Sequence, residues 1–231
     1  MQAQSLEEAF QQICAMEAPL HERMAAFSAA VRQFGLPFAE AYDDLVARIR
    51  SGDAGSTAPQ VGERMPSFLL PDSSGRLLDL QDLVAEGPAV ISFNRGHWCE
   101  YCAIELAAFR QAHDEIAAYG ASVTSIMPET EAFTKKAAAM VGNSFRILSD
   151  IDHGYALSLG LVVWLGEKVR DLYLSHGLNL PKYQGTASWF VPIPATFVVG
   201  RDGRILARYV DPDFRNRMDV EHIIAALKVP A

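Results

Sequence analysis

The sequence predicts an α/β protein in which helices cover both faces of a mixed, mostly parallel β-sheet. From residue 61 onward, short apolar runs alternate with segments whose apolar residues recur at helical spacing. The turn RDG at 201–203 joins the last two apolar runs as a hairpin, which makes the sheet mixed. Before residue 51 the apolar pattern is helical throughout, so a helical extension precedes the sheet.

The N-terminal extension, residues 1–50, is predicted to contain three short helices. Ser5 opens an S-x-x-E capping box, and Pro19 and the segment 35–37 divide the helical pattern that follows. The stretch SGDAGSTAPQ, residues 51–60, has the small polar composition of a linker. We therefore expect an appendage that is dispensable for chemistry. The sequence leaves open whether it pairs subunits or roofs a site.

The domain predicted after the linker, residues 61–231, contains five strands and four helices. The strands are predicted at 88–94, 121–127, 145–148, 195–199 and 204–210. The helices are predicted near 99–118, 129–141, 152–159 and 218–228. An insertion, residues 162–191, interrupts the alternation; Val169 and Tyr173 indicate one amphipathic helix within it, followed by a loop.

Composition and charge exclude several classes of function. Half of the 231 residues are apolar, as in a packed globular protein, and the net charge is -8 without a basic cluster, so we expect no nucleic-acid partner. The N-terminus lacks the pattern of an export signal, and no segment approaches about 18 uninterrupted apolar residues. We expect a cytoplasmic protein with no membrane partner. No nucleotide, haem or flavin signature is visible, so no cofactor is expected.

Cys99 and Cys102 lie in the stretch FNRGHWCEYCAIEL, between a predicted strand and a predicted helix. In a reducing compartment a close cysteine pair is catalytic or metal-binding more often than structural. Cys99 would start the helix and Cys102 would lie one turn inside, where the helix N-terminus favours a thiolate. One turn of separation also lets the two sulfurs bond, so the pair can open and close a disulfide with little chain movement.

Residues near the pair allow other interpretations. His97, Cys99 and Cys102 could supply three metal ligands to a non-enzymatic metal chaperone, although a closed zinc site needs four ligands and no second CxxC exists. Arg95 is close enough in sequence to stabilise a thiolate, and a solvated loop arginine is an equal alternative. His97 could pass protons, but a surface role is favoured. Cys14 on the first helix is expected to pack as a small hydrophobe.

Four stretches together resemble the AhpC/TSA group of peroxiredoxin-like proteins. In order, they are VGERMPSFLL with GRLLDLQDL, then WCEYC, LSDIDHGYALSLGL and IPATFVVGRDGRI, and the resemblance covers about residues 61–228. It implies a thioredoxin-like fold with a central mixed sheet, and an antioxidant peroxidase with a redox-active disulfide. It also implies that Trp98 shields a sulfur from water and that Pro194 is a cis-proline facing the cysteines.

The sequence departs from the PxxxTxxC pattern of peroxiredoxins. On that pattern Cys102 takes the attacking position, Cys99 replaces Thr, Arg95 replaces Pro, and Pro194 falls where an Arg is expected. We therefore expect thiol-dependent oxidoreduction, with a hydroperoxide as the first choice of substrate and a protein or small-molecule disulfide as the second.

One cysteine would attack and the other resolve, and a thioredoxin-like or other thiol reductant would restore the dithiol. Thioredoxin logic favours Cys99 as the attacking, more exposed sulfur, whereas the peroxiredoxin pattern favours Cys102. We expect Cys99 to be the nucleophile, because a thiolate needs both the helix N-terminus and access to substrate. The sequence leaves a homodimer open.

Overall fold

The computed structural model of the chain describes residues 3–228. The N-terminal extension forms the helices α1 (Leu6–Cys14), α2 (Leu20–Phe34) and α3 (Leu36–Ser51). Ser5 caps α1, because its side chain accepts the backbone N–H of Glu8 as the capping box predicts. Pro19 precedes α2 and Gly35 separates α2 from α3. The prediction of three helices is confirmed.

The described chain after the extension contains strands alternating with helices. In order they are β1 (Leu69–Pro71), β2 (Leu77–Asp79), α4 (Leu80–Glu86), β3 (Ala89–Phe93), α5 (Glu100–Gln111), α6 (His113–Ala118), β4 (Ser122–Met127), α7 (Glu131–Met140), β5 (Arg146–Ser149), α8 (Gly154–Ser158), β6 (Val162–Trp164), α9 (Glu167–Ser175), α10 (Leu180–Gln184), β7 (Phe190–Pro192), β8 (Ala195–Val199), β9 (Ile205–Val210) and α11 (Val220–Leu227). A 3-10 turn, Ile151–His153, precedes α8. Within these residues, none of the helices is both long and apolar enough to cross a membrane.

The central sheet has the strand order β5-β4-β3-β8-β9. Strand β3 pairs in parallel with β4, and β4 with β5, whereas β8 is antiparallel to both β3 and β9. All five residues of the middle strand β3 are buried, as expected for a sheet covered on both faces. The predicted mixed sheet and its final hairpin are confirmed.

Three local features differ from the sequence prediction. One lies in the insertion, where the loop predicted after the amphipathic helix contains the helix α10. The single helix expected over 99–118 is divided at Ala112, whose ψ is 6°, and neither Gly nor Pro signals the break. The hairpin of β1 and β2 and the helix α4 are additional elements. Asp79 and Asp82 form a reciprocal capping box at the start of α4, which is a local signal that sequence reasoning missed.

The segment 51–60 forms packed turns. Gly55 and Ala58 are buried. Gly55 has φ of 82°, and a Cβ atom there would lie 3.0 Å from a methyl carbon of Val210. Its small residues therefore permit close packing between the extension and the sheet, whereas their composition predicts a linker.

The extension and the insertion both pack around the start of α5. Insertion 162–191 begins and ends in an antiparallel ribbon of β6 and β7, and the predicted amphipathic helix is confirmed as α9, with Val169 and Tyr173 buried. Helix α9 lies against α3, and α2 lies against α5. One buried cluster joins these elements; it includes Phe27, Tyr42, Cys99, Tyr101, Cys102 and Tyr173.

Candidate functional site

Two reduced, buried cysteines lie at the N-terminal end of α5. Cys99 is the N-cap residue and Cys102 is in the first turn, so the predicted placement at a helix start is confirmed. Their Sγ atoms are 3.0 Å apart. Cys99 is 2% exposed and Cys102 is 0% exposed. The expectation that Cys99 is distinctly more exposed is therefore wrong, because the extension and the insertion cover both sulfurs.

Cys102 accepts hydrogen bonds from several donors. The backbone N–H of Arg95 lies 3.4 Å from its Sγ atom, and Nη2 of Arg217 lies 3.6 Å away. Since both groups can only donate, the Cys102 sulfur accepts from each of them, and the Cys99 sulfur is its third hydrogen-bond partner, 3.0 Å away. Burial acts to raise the pKa of Cys102, but the Cys99 hydrogen bond and the charges of Arg217 and Arg95 outweigh it, so the pKa is lowered. Burial and the neighbouring Cys102 raise the pKa of Cys99.

A buried ion pair lies next to Cys102. Nε of Arg217 is 3.2 Å from Oε2 of Glu105, and each side chain is 1% exposed. Glu105 also accepts hydrogen bonds from Ser92 on β3 and Thr196 on β8, both at 3.3 Å. Burial raises the pKa of Glu105 to about 7, although Arg217 opposes that shift. The Arg217 guanidinium therefore contacts both the Glu105 carboxylate and the Cys102 sulfur.

Arg95 is buried at 1% exposure and contacts aromatic rings. Its guanidinium carbon lies 4.1 Å from the ring centroid of Phe214 and 5.0 Å from that of Trp98. Its Nη2 donates to the hydroxyl of Tyr173 at 2.8 Å, and the Tyr173 hydroxyl donates to Tyr42 at 3.2 Å. The alternative of a solvated loop arginine is excluded by this burial. We call Tyr42, Trp98, Tyr173 and Phe214 the aromatic roof.

Trp98 is part of this roof, with its ring 5.3 Å from that of Tyr173. Its Nε1 atom is buried and, among the described residues, has no hydrogen-bond partner. The position of the ring beside Arg95 agrees with the shielding role that the family resemblance implies, and that role stays a prediction.

His97 pairs with a buried carboxylate and is largely covered, so the surface role favoured from the sequence is wrong. Its Nδ1 lies 2.7 Å from Oε1 of the buried Glu129, and its backbone N–H donates to Oε2 at 2.8 Å. The rings of Phe133 and Tyr183 each lie 5.0 Å from the imidazole. Among residues 3–228, no group of three or more His, Cys, Asp or Glu side chains is placed to hold a metal ion. The metal-chaperone hypothesis therefore lacks its ligand set in the described chain.

Pro194 differs from the sequence expectation in one respect. No peptide bond within residues 3–228 is cis, so the bond between Ile193 and Pro194 is trans and the prediction of a cis-proline is wrong. The chain runs in an extended conformation from β7 through Ile193 directly into β8, and the N–H of Ile193 donates to the carbonyl of Leu161. No tight turn is present there to require a cis bond. Phe93 pairs with Ala195, so Pro194 still lies at the end of the sheet from which the cysteine loop departs.

Sequence reasoning missed several residues that contact the site. They are Tyr42, Glu105, Glu129, Tyr173 as a site residue, and Arg217. Glu105 carried a usable signal, since it is the single acidic residue in the otherwise apolar run AIELAAF. Cys14 is half-buried and packs against the apolar cluster of the extension, as expected for a small hydrophobe.

The sulfur geometry predicts a reversible disulfide between Cys99 and Cys102. Mild oxidation should remove two hydrogens, because two sulfurs already 3.0 Å apart need only a small displacement to bond. Mass spectrometry of a digest should place the loss in one peptide that contains both residues. A bridge from Cys14 to either residue would contradict the assignment, and Cys14→Ser is the matched control.

The comparison with known proteins decides the family. The AhpC/TSA family profile matches residues 61–208. The chain belongs to the AhpC/TSA family. As a member of it the protein is an oxidoreductase. Tyr42 and Arg217 lie outside the matched residues.

Solved structures of peroxiredoxins share the fold. The peroxidoxin BcpB of Mycobacterium tuberculosis is 22% identical, with a TM-score of 0.56 over 73% of this chain and 96% of that one. Peroxiredoxin 6 of Arenicola marina is 17% identical, with a TM-score of 0.57 over 73% of this chain and 72% of that one. The fold is therefore thioredoxin-like, as the sequence predicted.

A relative identified by sequence is named for a different activity. The thiol-disulfide oxidoreductase ResA of Bacillus anthracis is 20% identical over 161 residues, which is 69% of this chain and 75% of the relative. The same description and values hold for ResA of Bacillus thuringiensis (strain Al Hakam). The AhpC/TSA protein thus resembles peroxiredoxins in structure and a disulfide oxidoreductase in sequence.

Proposed function

We propose that the protein is a thiol-dependent peroxidase in which the Cys102 thiolate reduces small hydroperoxides and Cys99 resolves the product. The observation that carries this proposal is the full burial of a Cys102 sulfur that accepts hydrogen bonds from Arg95 and Arg217. The donors favour the thiolate, which is the reactive form. Burial favours a small substrate, because the disulfide of a folded protein cannot approach an enclosed sulfur.

The first chemical step forms a sulfenic acid. The Cys102 thiolate attacks one oxygen of the hydroperoxide, so a sulfur–oxygen bond forms and the oxygen–oxygen bond breaks. The leaving alkoxide or hydroxide takes a proton, and the Cys99 thiol is a nearby donor, because its sulfur lies 3.0 Å from that of Cys102. The products are an alcohol or water, a sulfenic acid at Cys102 and a thiolate at Cys99.

The second step closes the disulfide. The Cys99 thiolate attacks the Cys102 sulfur, a sulfur–sulfur bond forms, and hydroxide leaves. An external thiol reductant then reduces the bridge by exchange. A small dithiol can do so in the enclosed site, whereas a thioredoxin-like protein requires the aromatic roof to open first. We propose a reducing compartment such as the cytoplasm for this cycle. The catalytic set in this proposal is Cys102 and Cys99, with Arg95 stabilising negative charge, Trp98 limiting water and Pro194 at the same end of the sheet.

Reduction of a disulfide is the second candidate function. The CxxC pair at a helix start and the resemblance to ResA favour it. In that case Cys99 at the N-cap would attack, and Cys102 would resolve the mixed disulfide. The raised pKa of Cys99, caused by burial and by Cys102, opposes this order of attack.

A comparison of substrates under one reductant tests the proposal. With dithiothreitol in excess, we expect turnover of hydrogen peroxide and tert-butyl hydroperoxide to exceed that of glutathione disulfide or insulin by roughly 100-fold or more, or about 3 kcal/mol in barrier. Coupled consumption of the dithiol measures each rate. Faster reduction of either disulfide would support the second candidate, and inertness toward every substrate would refute both.

A further inference from the structure

Arg95 is a buried cation without a carboxylate partner. Among the described residues, no Asp or Glu oxygen lies within ion-pair distance of its guanidinium. Its one side-chain hydrogen bond goes to the Tyr173 hydroxyl at 2.8 Å, and its remaining close neighbours are the rings of Phe214 and Trp98. The position of this charge therefore depends on an uncharged acceptor, the oxygen of Tyr173.

A tyrosine hydroxyl has one hydrogen, and the direction of that hydrogen decides whether the Tyr173 oxygen can accept the hydrogen bond from Arg95. A guanidinium only donates, so the Tyr173 oxygen must accept from it and send its own hydrogen elsewhere. The Tyr42 hydroxyl lies 3.2 Å away and receives that hydrogen. Tyr173 is 0% exposed, so water does not replace Tyr42 as the acceptor without opening of the aromatic roof.

Tyr42 is held by contacts that tie α3 to the C-terminal segment. Its ring meets that of Phe214 edge-on, with centroids 4.9 Å apart. The next residue, Asp43, forms an ion pair with Arg215 at 2.6 Å. The Tyr42 hydroxyl is therefore fixed toward Tyr173 from two directions, although the chain that carries it lies before the family-matched residues.

We propose that Tyr42 is a positioning residue for the cysteine chemistry, supplied by the N-terminal extension, which accepts the Tyr173 hydrogen and so keeps the Tyr173 oxygen available to Arg95. This inference rests on the thiolate of the proposed function but not on the choice between peroxide and disulfide. It also makes the extension part of the site, contrary to the expectation that residues 1–50 are dispensable for chemistry.

The effect on Cys102 passes through Arg95. The backbone N–H of Arg95 donates to the Cys102 sulfur, and its guanidinium charge is one of the influences that lower the pKa of Cys102. A guanidinium that has lost its acceptor moves in the roof, and its charge stabilises the thiolate less. The titratable or charged groups that face Cys102 are Cys99, Arg95, Glu100, Glu105 and Arg217.

A pH titration of the thiolate tests this assignment. In Y42F, we expect the midpoint of the ultraviolet absorbance of the Cys102 thiolate to rise by about half a unit, so that the thiolate fraction falls roughly threefold below the midpoint. The Cys102→Ser variant supplies the baseline. Burial keeps the pKa values of Tyr42 and Tyr173 above the ordinary tyrosine value, so neither phenol titrates in that range.

The matched control is Y101F, which removes a phenol from the same cluster. The Tyr101 hydroxyl lies 3.2 Å from Ser28 and does not contact Arg95, so its loss should leave the midpoint unchanged. Tyr173→Phe should raise the midpoint at least as much as Y42F, and the double variant should match Tyr173→Phe alone, because Tyr42 acts through Tyr173.

Three results would overturn the inference. They are an unshifted midpoint in folded Y42F, an equal shift in Y101F, and shifts in Y42F and Tyr173→Phe that add in the double variant. If Y42F does not fold, an unchanged thiolate midpoint in Tyr173→Phe would overturn the inference. The titration requires no substrate. If the protein shows no peroxidase turnover but the thiolate midpoint in Y42F rises as expected, the proposed function is refuted and the positioning role of Tyr42 stands.

Discussion

Replacement of Cys102 by Ser should abolish peroxide reduction, whereas replacement of Cys99 by Ser should preserve one round of oxidation. Cys102 carries the lowered pKa and accepts from Arg95 and Arg217, so its removal eliminates the stabilised thiolate. Loss of a nucleophile of this kind should slow the reaction with hydrogen peroxide by roughly 1,000-fold or more. Without Cys99, the sulfenic acid at Cys102 has no adjacent thiol and should persist.

The measurement is a sulfenic-acid trap followed by peptide mass spectrometry. In Cys99→Ser, treatment with hydrogen peroxide and dimedone should label Cys102, and in Cys102→Ser no labelling at Cys99 should exceed that of an ordinary thiol. Cys14→Ser is the control, since that half-buried thiol lies on α1. A mixed disulfide trapped through Cys99 in Cys102→Ser, with slow peroxide reaction, would assign the protein to disulfide reduction.

The residues of the site differ in how far the sequence could reveal them. Cys99, Cys102 and Arg95 lie within one short loop and helix start, where local periodicity and spacing determine the geometry. Arg217 reaches Cys102 across 115 positions of sequence, and Tyr173 reaches Tyr42 across 131. Neither contact has a periodic signature, because each depends on how β9 and the insertion fold back over α5. A single sequence therefore predicts the sulfur pair but not the charges and phenols around it.

Composition was a weaker guide than periodicity. Apolar runs predict the five strands of the central sheet closely, because a buried strand needs apolar side chains on both faces. The small residues at 51–60 are compatible with either a flexible linker or packed turns. Burial of Ala58 in the core beside the sheet shows that they form packed turns. The expectation that the extension is dispensable for chemistry rests on a different observation, that every candidate catalytic residue recognised in the sequence lies after the linker. Tyr42 could not be recognised, because a tyrosine on a helical face fits a packing role equally well.

Substitution of Arg217 by Met should both destabilise the fold and weaken the thiolate. Arg217 is the buried partner of Glu105, and removal of one member of a buried ion pair costs about 3–5 kcal/mol in the free energy of unfolding. Met retains an unbranched apolar chain but lacks the guanidinium group, so a small loss of volume adds to the cost of the lost charge. The pKa of Cys102 should rise as well, since Arg217 is one of the charges that lower it. Peroxide reduction at neutral pH should fall roughly tenfold or more.

The destabilisation should depend on pH in a defined direction. Burial raises the folded-state pKa of Glu105 to about 7 from a usual value near 4.5, so the native carboxyl is mostly neutral at pH 5 and ionised at pH 8. A group with a raised folded pKa stabilises the fold in its protonated form, and that contribution is lost as the pH rises. Without Arg217 the carboxylate is buried alone, so R217M should lose more stability at pH 8 than at pH 5.

Urea unfolding of R217M, E105Q and the double variant at both pH values measures this coupling. Glu105→Gln removes the charge while retaining the shape, so the double variant should recover part of the stability that R217M loses at pH 8. At pH 5 the recovery should be small, because the carboxyl is already protonated. Equal losses at the two pH values, or no recovery in the double variant, would show that Arg217 acts through its hydrogen bonds to the carbonyls of Phe214 and Asn216 rather than through its charge.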